Sequence, residues 1–301
     1  MGEPVSKGAR AAFVAIAGRP SAGKSTLMNA ICRHKIAITS PTPQTTRNRI
    51  RGIANRERGQ LIFIDTPGFH DSTRTLNRHM RGLIDETIRE CEIVLYVVDA
   101  SRPIGAEEHL LARSIANVHA PVVVAINKSD IARSDGHEAE EFVRDTLPDA
   151  QAFVVSATRK SGLEQLVDAL FDRAPEGEPP YPDDYYTDQP PEFRIAEIIR
   201  EKAIDGLRQE LPHAIYVDVA DFEITEEAGR EKLWIRAFLM VERESQKGML
   251  VGKGGERIKR TRQTAQKELA TIFSYPIHLD LRVKVDANWR TNAATLQKLV
   301  T

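Results

Sequence analysis

The chain has 301 residues, of which 41% are hydrophobic and 28% charged, and its formal net charge is −1. The length is too great for one average domain, and the composition excludes a wholly disordered chain. The charge excludes a uniformly basic nucleic-acid coat but permits a local basic patch. Two cysteines are too few for a disulfide framework or a zinc site, and no apolar stretch is long enough to span a membrane. We therefore expect a cytoplasmic protein with two domains.

A proline-rich acidic segment marks the boundary between these domains. The run from Ala174 to Pro191 contains six prolines and five acidic residues, which disfavour both helix and central strand. An extended, semi-rigid linker is expected there. The predicted organisation is an N-terminal tail at 1–10, a first domain at 11–174, a linker at 175–190 and a second domain at 191–301.

Apolar runs alternate with helical patterns in the first domain, which predicts an α/β fold with a mostly parallel sheet. Residues 49–55 and 60–64 predict an antiparallel pair within that sheet. The other strand runs are 11–17, 93–98, 122–126 and 152–155, and helical patterns cover 106–117, 137–146 and 163–171. In the second domain the predicted order is helix, two strands, two helices and a strand, which is a small α+β domain.

The first strand runs into a phosphate-loop pattern, G-x-x-x-x-G-K-[ST]. Glycines let backbone N–H groups curl around phosphate oxygens, and a lysine ammonium can reach the β- and γ-phosphates. A serine hydroxyl after that lysine is a suitable Mg²⁺ ligand. Alone, the pattern indicates a nucleoside triphosphate without naming the base, and a glycine-containing turn is the alternative. The predicted nucleotide-binding residues are Gly18, Arg19, Pro20, Ser21, Ala22, Gly23, Lys24, Ser25 and Thr26.

A second element follows the strand at 61–64. Asp65 is placed there to hold the Mg²⁺ shell through water, and the N–H of Gly68 can point at the γ-phosphate. Thr66 and Pro67 complete the element, although such a sequence is also a common turn. Between the first helix and the second strand, a polar loop suits ordering by the γ-phosphate and Mg²⁺. Thr46 is the predicted metal ligand in this loop, with Thr45 as the alternative.

A third element follows the strand at 122–126 and points to guanine. Asp130 can accept from guanine N1–H and N2–H₂, whereas adenine offers no such donor pair. Asn127 can brace the loop, and the Lys128 stem can lie over the ring. A backbone N–H from Ser156, Ala157 or Thr158 can reach O6. A helix-capping loop is the alternative, but the three elements in this order favour GTP and GDP as ligands.

A glycine-rich loop in the second domain has the chemistry of an RNA contact. Glycines allow close approach of a sugar-phosphate chain, and the helix that follows is strongly basic. A solvated helix face is the alternative. Such a groove takes about four single-stranded nucleotides, with apolar residues as its floor. The predicted RNA-binding residues are Val251, Gly252, Lys253, Gly254, Gly255, Arg257, Ile258, Lys259 and Arg260.

Taken together, these motifs resemble those of the Era family, bacterial ribosome-assembly GTPases of the translation-factor class. The loop at 251–259 resembles the Gly-x-x-Gly loop of that family's type II KH domain, and the segments 197–202, 210–213 and 283–290 resemble its other C-terminal signatures. The resemblance covers roughly 13–299. It implies an α/β phosphate-loop GTPase domain followed by an α+β type II KH domain, with Lys24, Thr46 and Gly68 in catalytic positions.

The same resemblance implies binding near the 3′ end of the 16S ribosomal RNA and assistance in assembly of the 30S subunit from its precursor. Peripheral association with the inner face of the cell membrane is a further implication, and we expect a monomer. Phe69 stands where Ras-like proteins place a water-orienting glutamine, so slow intrinsic turnover is expected. Ser21 replaces the family's common asparagine, which can ligate an activating potassium ion in related GTPases. We therefore expect little potassium activation.

Two other functions compete with this interpretation. A metabolic kinase would use the same phosphate loop, but the element at 127–130 argues against it. A membrane-associated regulator would use the KH-like domain for protein or lipid contact.

Overall fold

The computed structural model describes residues 8–39, 49–66, 86–132, 134–207, 211–227, 229–287 and 289, without the side chains of 212, 213 and 227. The predicted residues Thr45, Thr46, Pro67, Gly68 and Phe69 lie outside this set. The chain divides into two compact units, Met1–Asp188 and Gln189–Thr301.

The first unit is built on a six-stranded sheet with the strand order β2-β3-β1-β4-β5-β6. Only β2 and β3 pair in antiparallel fashion, and the other neighbours are parallel, which confirms the predicted α/β fold. The strands are β1 Arg10–Gly18, β2 Ile50–Arg56, β3 Gly59–Asp65, β4 Ile93–Asp99, β5 Val122–Asn127 and β6 Gln151–Val154. The helices are α1 Lys24–Cys32, α2 Ala106–Ala116, α3 Gly136–Thr146 and α4 Leu163–Arg173, and residues 86–90 are also helical.

The apolar runs of the sequence become the central strands of this sheet. Every residue of β4 is buried, because helices cover a parallel sheet on both faces. Leu111 and Ile115 of α2 and Phe142 of α3 pack against Val94 and neighbouring sheet residues in one apolar cluster. The helices thereby hold the parallel strands with their carboxyl ends on one common edge.

Most of the segment predicted as a linker packs within the first unit, and it contains a turn in which the Tyr185 N–H donates to the Pro182 carbonyl at 3.0 Å. Residues 181–188, called here the edge segment, lie along β2. The Ile53 N–H donates to the Tyr186 carbonyl at 2.9 Å, and the Thr187 hydroxyl donates to the Arg51 carbonyl at 2.8 Å. The edge strand of the sheet is therefore covered by the chain's own segment.

Side chains reinforce this contact. The Arg51 guanidinium pairs with Asp188 at 2.7 Å, and Tyr181 donates its hydroxyl to the same carboxylate at 3.0 Å. Gln60 and the backbone of Tyr181 exchange two hydrogen bonds of 3.0 Å. The Tyr186 ring stacks on His34. The edge segment is thus specifically bound to β2, a result that a proline-rich composition could not predict.

The second unit has the predicted order of helix, two strands, two helices and a strand. Its sheet has the order β7-β8-β9, with β7 antiparallel and β9 parallel to β8. The elements are α5 Pro191–Ile204, β7 Tyr216–Glu227, β8 Arg230–Val241, α6 Glu244–Val251, α7 Glu256–Phe273 and β9 Ile277–Val285. Alternate residues of β8 are buried, since one face of the sheet packs on the helices. Among the helices that the structure describes, none is long and apolar enough to cross a membrane.

Candidate nucleotide and RNA sites

Those residues predicted to bind the nucleotide that the structure describes gather at the carboxyl edge of the first sheet. Gly18, Asp65 and Asn127 are the last residues of β1, β3 and β5. β1 lies between β3 and β4: the chain passes from β1 to β2 on one side of this strand, and from β3 to β4 on its other side. Open α/β sheets bind ligands in the crevice at such a point.

The phosphate loop connects β1 to α1 in a shape that requires glycine at both ends. A Cβ on Gly18 would lie 2.6 Å from the Val97 carbonyl oxygen, and Gly23 has a φ of +94°. The Lys24 ammonium donates to the carbonyls of Gly18 at 3.1 Å and Arg19 at 3.2 Å. These bonds hold the ammonium beside the loop.

Burial also changes the charge balance at this lysine. Burial lowers the pKa of Lys24, and the nearby carboxylates of Asp65 and Glu108 offset this only in part. A bound phosphate would supply the negative charge that favours the protonated form.

Ser25 and Asp65 bring two side-chain oxygens into contact at the start of α1 and the end of β3. The Ser25 hydroxyl donates to Asp65 Oδ2 at 2.5 Å, and the Asp65 side chain is fully buried. The Thr66 hydroxyl donates to the Ile16 carbonyl at 2.8 Å, which fixes the end of β3 against β1. A hydroxyl and a carboxylate are ligands that suit Mg²⁺.

Asn127 connects the phosphate loop to the loop after β6. Its Nδ2 donates to the Ala22 carbonyl at 3.0 Å, and its Oδ1 accepts from the Ala157 N–H at 3.1 Å. The side chain is 2% exposed, so these bonds are shielded from water. The amide therefore joins three segments that are distant in sequence.

Asp130 is oriented by a hydrogen bond from the loop after β6. The Ser156 hydroxyl donates to Asp130 Oδ1 at 2.6 Å, and this bond lowers the pKa of Asp130. The hydroxyl of Ser156 also accepts from the Arg159 N–H at 3.0 Å. Thr158 is exposed in the following turn.

Asp99, at the end of β4, also lies at the carboxyl edge of the first sheet, although the sequence motifs did not predict it. Lys128 has a φ of +68°, and its ammonium donates to Asp99 Oδ2 at 2.7 Å. Burial would raise the pKa of Asp99, but hydrogen bonds from Lys128 and Ser101 outweigh it and the pKa is lowered. A signal was present, because Asp99 ends a buried strand just as Asp65 does.

The glycine-rich loop of the second unit lies between α6 and α7. A Cβ on Gly252 would lie 2.8 Å from Arg257 Cβ, so this position has no room for a side chain. Gly254 and Gly255 have φ values of +59° and +78°, and an added Cβ would meet no atom within 4 Å. The loop backbone is therefore open on its outer side.

The basic residues around this loop do not all have the same role. Lys253, Lys259 and Arg260 are exposed. In contrast, Arg257 Nη2 donates to the Asp205 carbonyl at 2.8 Å, next to the end of α5. Arg257 thus stabilises the fold in addition to its predicted RNA contact. The apolar residues Val251 and Ile258 are half-buried.

Comparison with known proteins agrees with this geometry. Residues 13–128 match the family model of a 50S ribosome-binding GTPase, and residues 210–290 match that of a KH domain. The fold, the nucleotide edge and these matches define a phosphate-loop GTPase followed by a KH domain.

Relatives that match nearly the whole chain show which family of GTPases with a KH domain it belongs to. The chain is 44% identical to GTPase Era of Treponema denticola, across 95% of this chain and 98% of the relative. A structure of an Aquifex aeolicus Era variant bound to GDP.AlF4− superimposes with a TM-score of 0.89 at 32% identity, covering 96% and 98% of the two chains. A structure of Era with MgGDPNP and nucleotides 1506–1542 of 16S ribosomal RNA has the same score and coverage at 31% identity. The chain belongs to the Era family and is a GTPase.

Proposed function

We propose that this GTPase binds the 3′ region of 16S ribosomal RNA through its KH domain and assists assembly of the 30S subunit. The observation that carries the proposal is the open Gly252–Gly255 loop with the exposed cations of Lys253, Lys259 and Arg260 beside it. The related Era structure that contains nucleotides 1506–1542 of 16S ribosomal RNA supports this choice of RNA. The proposed partner is the cytoplasmic precursor of the 30S subunit.

In the proposed nucleotide site, each segment of the carboxyl edge has one task. The phosphate loop directs its N–H groups at the phosphates, and Lys24 moves from the Gly18 and Arg19 carbonyls to the β- and γ-phosphates. Asp130 accepts from guanine N1–H and N2–H₂. Asn127 keeps the phosphate loop and the Ala157 loop at a fixed separation.

The proposed cofactor is Mg²⁺, held by Ser25 directly and by Asp65 through water. The fit rests on the 2.5 Å contact between the Ser25 hydroxyl and the Asp65 carboxylate, a pair of hard oxygen ligands. When bound, Mg²⁺ neutralises the negative charge of the phosphates. Thr46 and Gly68 complete the proposed catalytic set with Lys24.

In the proposed RNA site, the glycines admit the sugar-phosphate chain and the exposed lysines neutralise its phosphates. Val251 and Ile258 would form part of the groove floor. Because a phosphate contact releases counterions, RNA affinity should fall as salt rises.

The decisive experiment is sequencing of RNA crosslinked to the purified protein, with Gly254→Asp as the test variant. Gly229→Asp is the matched control, because Gly229 also has a positive φ and an open outer side but lies in the β7–β8 turn. We expect crosslinks concentrated near the 3′ end of 16S RNA, lost in Gly254→Asp and kept in Gly229→Asp. Crosslinks spread over unrelated RNA, or equal loss in both variants, would refute the proposed RNA site.

Sedimentation of the protein with ribosomal particles tests the assembly role. The protein should migrate with precursors of the small subunit in a sucrose gradient, and Gly254→Asp should reduce that fraction. Migration with the large subunit alone would contradict this part of the proposal.

A further inference from the structure

One side chain of the phosphate loop is anchored by residues far away in the sequence. Arg19 Nε forms an ion pair with Glu108 Oε2 on α2. The Tyr96 hydroxyl, on β4, donates to the other carboxylate oxygen at 2.5 Å. The side chains of Glu108 and Tyr96 are fully buried, and that of Arg19 is 13% exposed. We call these three residues the anchor.

The backbone of Arg19 is as important as its side chain. Its carbonyl accepts from the Lys24 ammonium at 3.2 Å and from the Ala22 N–H at 3.2 Å. Any movement of Arg19 therefore moves both the catalytic lysine's resting position and the curve of the loop. Ser21 provides no substitute, since its buried hydroxyl has no hydrogen-bond partner in the described part of the chain.

We propose that the anchor positions the phosphate loop, and that Glu108 is a positioning residue for nucleotide binding. The inference rests on the proposed assignment of residues 18–25 as the phosphate-binding loop. Its physical basis is the cost of an unpaired buried charge. Without the Glu108 carboxylate, the buried Arg19 guanidinium would have to leave its place for water, and its backbone would follow.

Loss of positioning and loss of negative charge at Glu108 should change nucleotide affinity in opposite directions. The direction of the measured change therefore shows which effect is larger. Glu108 is close enough to favour the protonated form of Lys24. If only the negative charge of Glu108 were removed, the more positive site should attract the nucleotide's phosphates more strongly. If positioning dominates, neutralising Glu108 weakens binding despite the more positive site.

The first test is Glu108→Gln, which removes the charge and keeps the shape. Tyr96→Phe removes only the hydroxyl. Glu92→Gln is the matched control, because the exposed Glu92 accepts from the Phe13 N–H at 2.7 Å, within β1 and away from the phosphate loop. We expect the Kd values of GTP and GDP to rise together by about tenfold in Glu108→Gln, equivalent to about 1.4 kcal/mol, because the loop holds phosphates common to both. Tyr96→Phe should show a smaller rise, and the control none.

A double variant separates positioning from mere stability. Arg19→Met with Glu108→Met removes both charges, so the melting temperature should recover relative to Glu108→Gln. Nucleotide affinity should stay low, since the fixed ion pair is gone. Recovery of affinity together with stability would reduce the anchor to a structural role. This variant also keeps the test open if Glu108→Gln does not fold.

Lys24→Ala, measured in parallel, distinguishes the two levels of inference. Undiminished GTP binding in Lys24→Ala would overturn the phosphate-loop assignment itself. Loss of binding in Lys24→Ala with unchanged or tighter binding in Glu108→Gln would overturn only the anchor.

Discussion

Gly23 and Asn127 approach each other more closely than any side chain at position 23 would allow. A Cβ built on Gly23 would lie 2.4 Å from Asn127 Nδ2, the atom that donates to the Ala22 carbonyl. Glycine at position 23, the second glycine of the phosphate loop, is therefore required by the Asn127 amide as well as by its own φ of +94°.

Gly23→Ala should consequently disturb both halves of the nucleotide site. The added methyl group must displace the Asn127 amide or shift the loop, and the positive φ adds strain. We expect loss of GTP and GDP binding, measured by calorimetry. Gly136→Ala is the control, because a Cβ there meets no atom within 4 Å and φ is unremarkable. Retained affinity in Gly23→Ala would mean that the loop adapts without cost.

Base recognition should depend on the charge of Asp130. Asp130→Asn replaces an acceptor by an amide that also donates, so it should weaken GTP and favour xanthosine triphosphate. We expect GTP affinity to fall by a factor on the order of ten to a hundred. Competition between the two nucleotides measures the change. Ser156→Ala should produce a smaller loss, because it removes only the hydroxyl that orients Asp130.

The buried lysine should make the stability of the nucleotide-free protein depend on pH. The pKa of Lys24 lies below its ordinary 10.5 in the folded protein, chiefly through burial. The unfolded chain then binds this proton more tightly, so stability rises as pH increases through the lowered pKa toward 10.5. Lys24→Met should therefore be more stable than wild type at neutral pH, and its advantage should shrink in alkaline solution.

Urea unfolding across this pH range, without nucleotide, measures that difference. Addition of Mg²⁺-GTP should reverse the order, since only wild type gains binding energy. If the stability difference between wild type and Lys24→Met did not depend on pH, the lowered pKa of Lys24 would be contradicted.

Lys259 and Arg257, two basic residues of the proposed RNA site, should differ in their effect on protein stability. Lys259→Ala removes an exposed charge, so RNA affinity should fall and the salt slope should flatten by about 0.7. Arg257→Ala also breaks the 2.8 Å bond to the Asp205 carbonyl, so it should lower the melting temperature as well. RNA titration at several salt concentrations, with thermal melts, checks both. Equal melting temperatures in the two variants would remove the structural role of Arg257.

The edge segment offers a route by which nucleotide could affect RNA binding. β2 directly follows in sequence the polar loop around Thr46 that is predicted to be ordered by the γ-phosphate, called here the switch loop. Arg51 of β2 pairs with Asp188, the last residue of the first unit. If this connection transmits the switch, RNA affinity should differ between a non-hydrolysable GTP analogue and GDP. A coupling of about 1–3 kcal/mol is usual for linked sites.

Asp188→Asn should reduce that difference. Asp184→Asn is a matched control, because Asp184 is exposed on the same segment. Equal coupling in both variants would exclude the Arg51–Asp188 pair as the connection.

Local patterns carried most of what the sequence could predict. The α/β order follows from apolar runs in the sequence. Lys24, Asp65 and Asn127 lie in short motifs whose residue types and spacing predict nucleotide binding. Glu108 was not predictable, because its partner Arg19 is 89 residues away and only the packing of α2 on the sheet brings them together. The contact between Tyr186 and Ile53 likewise depends on folding, since a proline-rich segment does not reveal the strand it will cover.

The edge segment also determines how the first unit should be cut from the chain. A fragment ending at Ala174 would leave β2 with unpaired N–H and C=O groups at an open sheet edge, which can template pairing with another molecule. It would also remove Tyr181, which exchanges two hydrogen bonds with Gln60, and Asp188, which pairs with Arg51. Extending the fragment to Asp188 keeps the edge covered. We therefore expect the residues from Tyr181 to Asp188 to prevent self-association through β2, in addition to connecting the two domains.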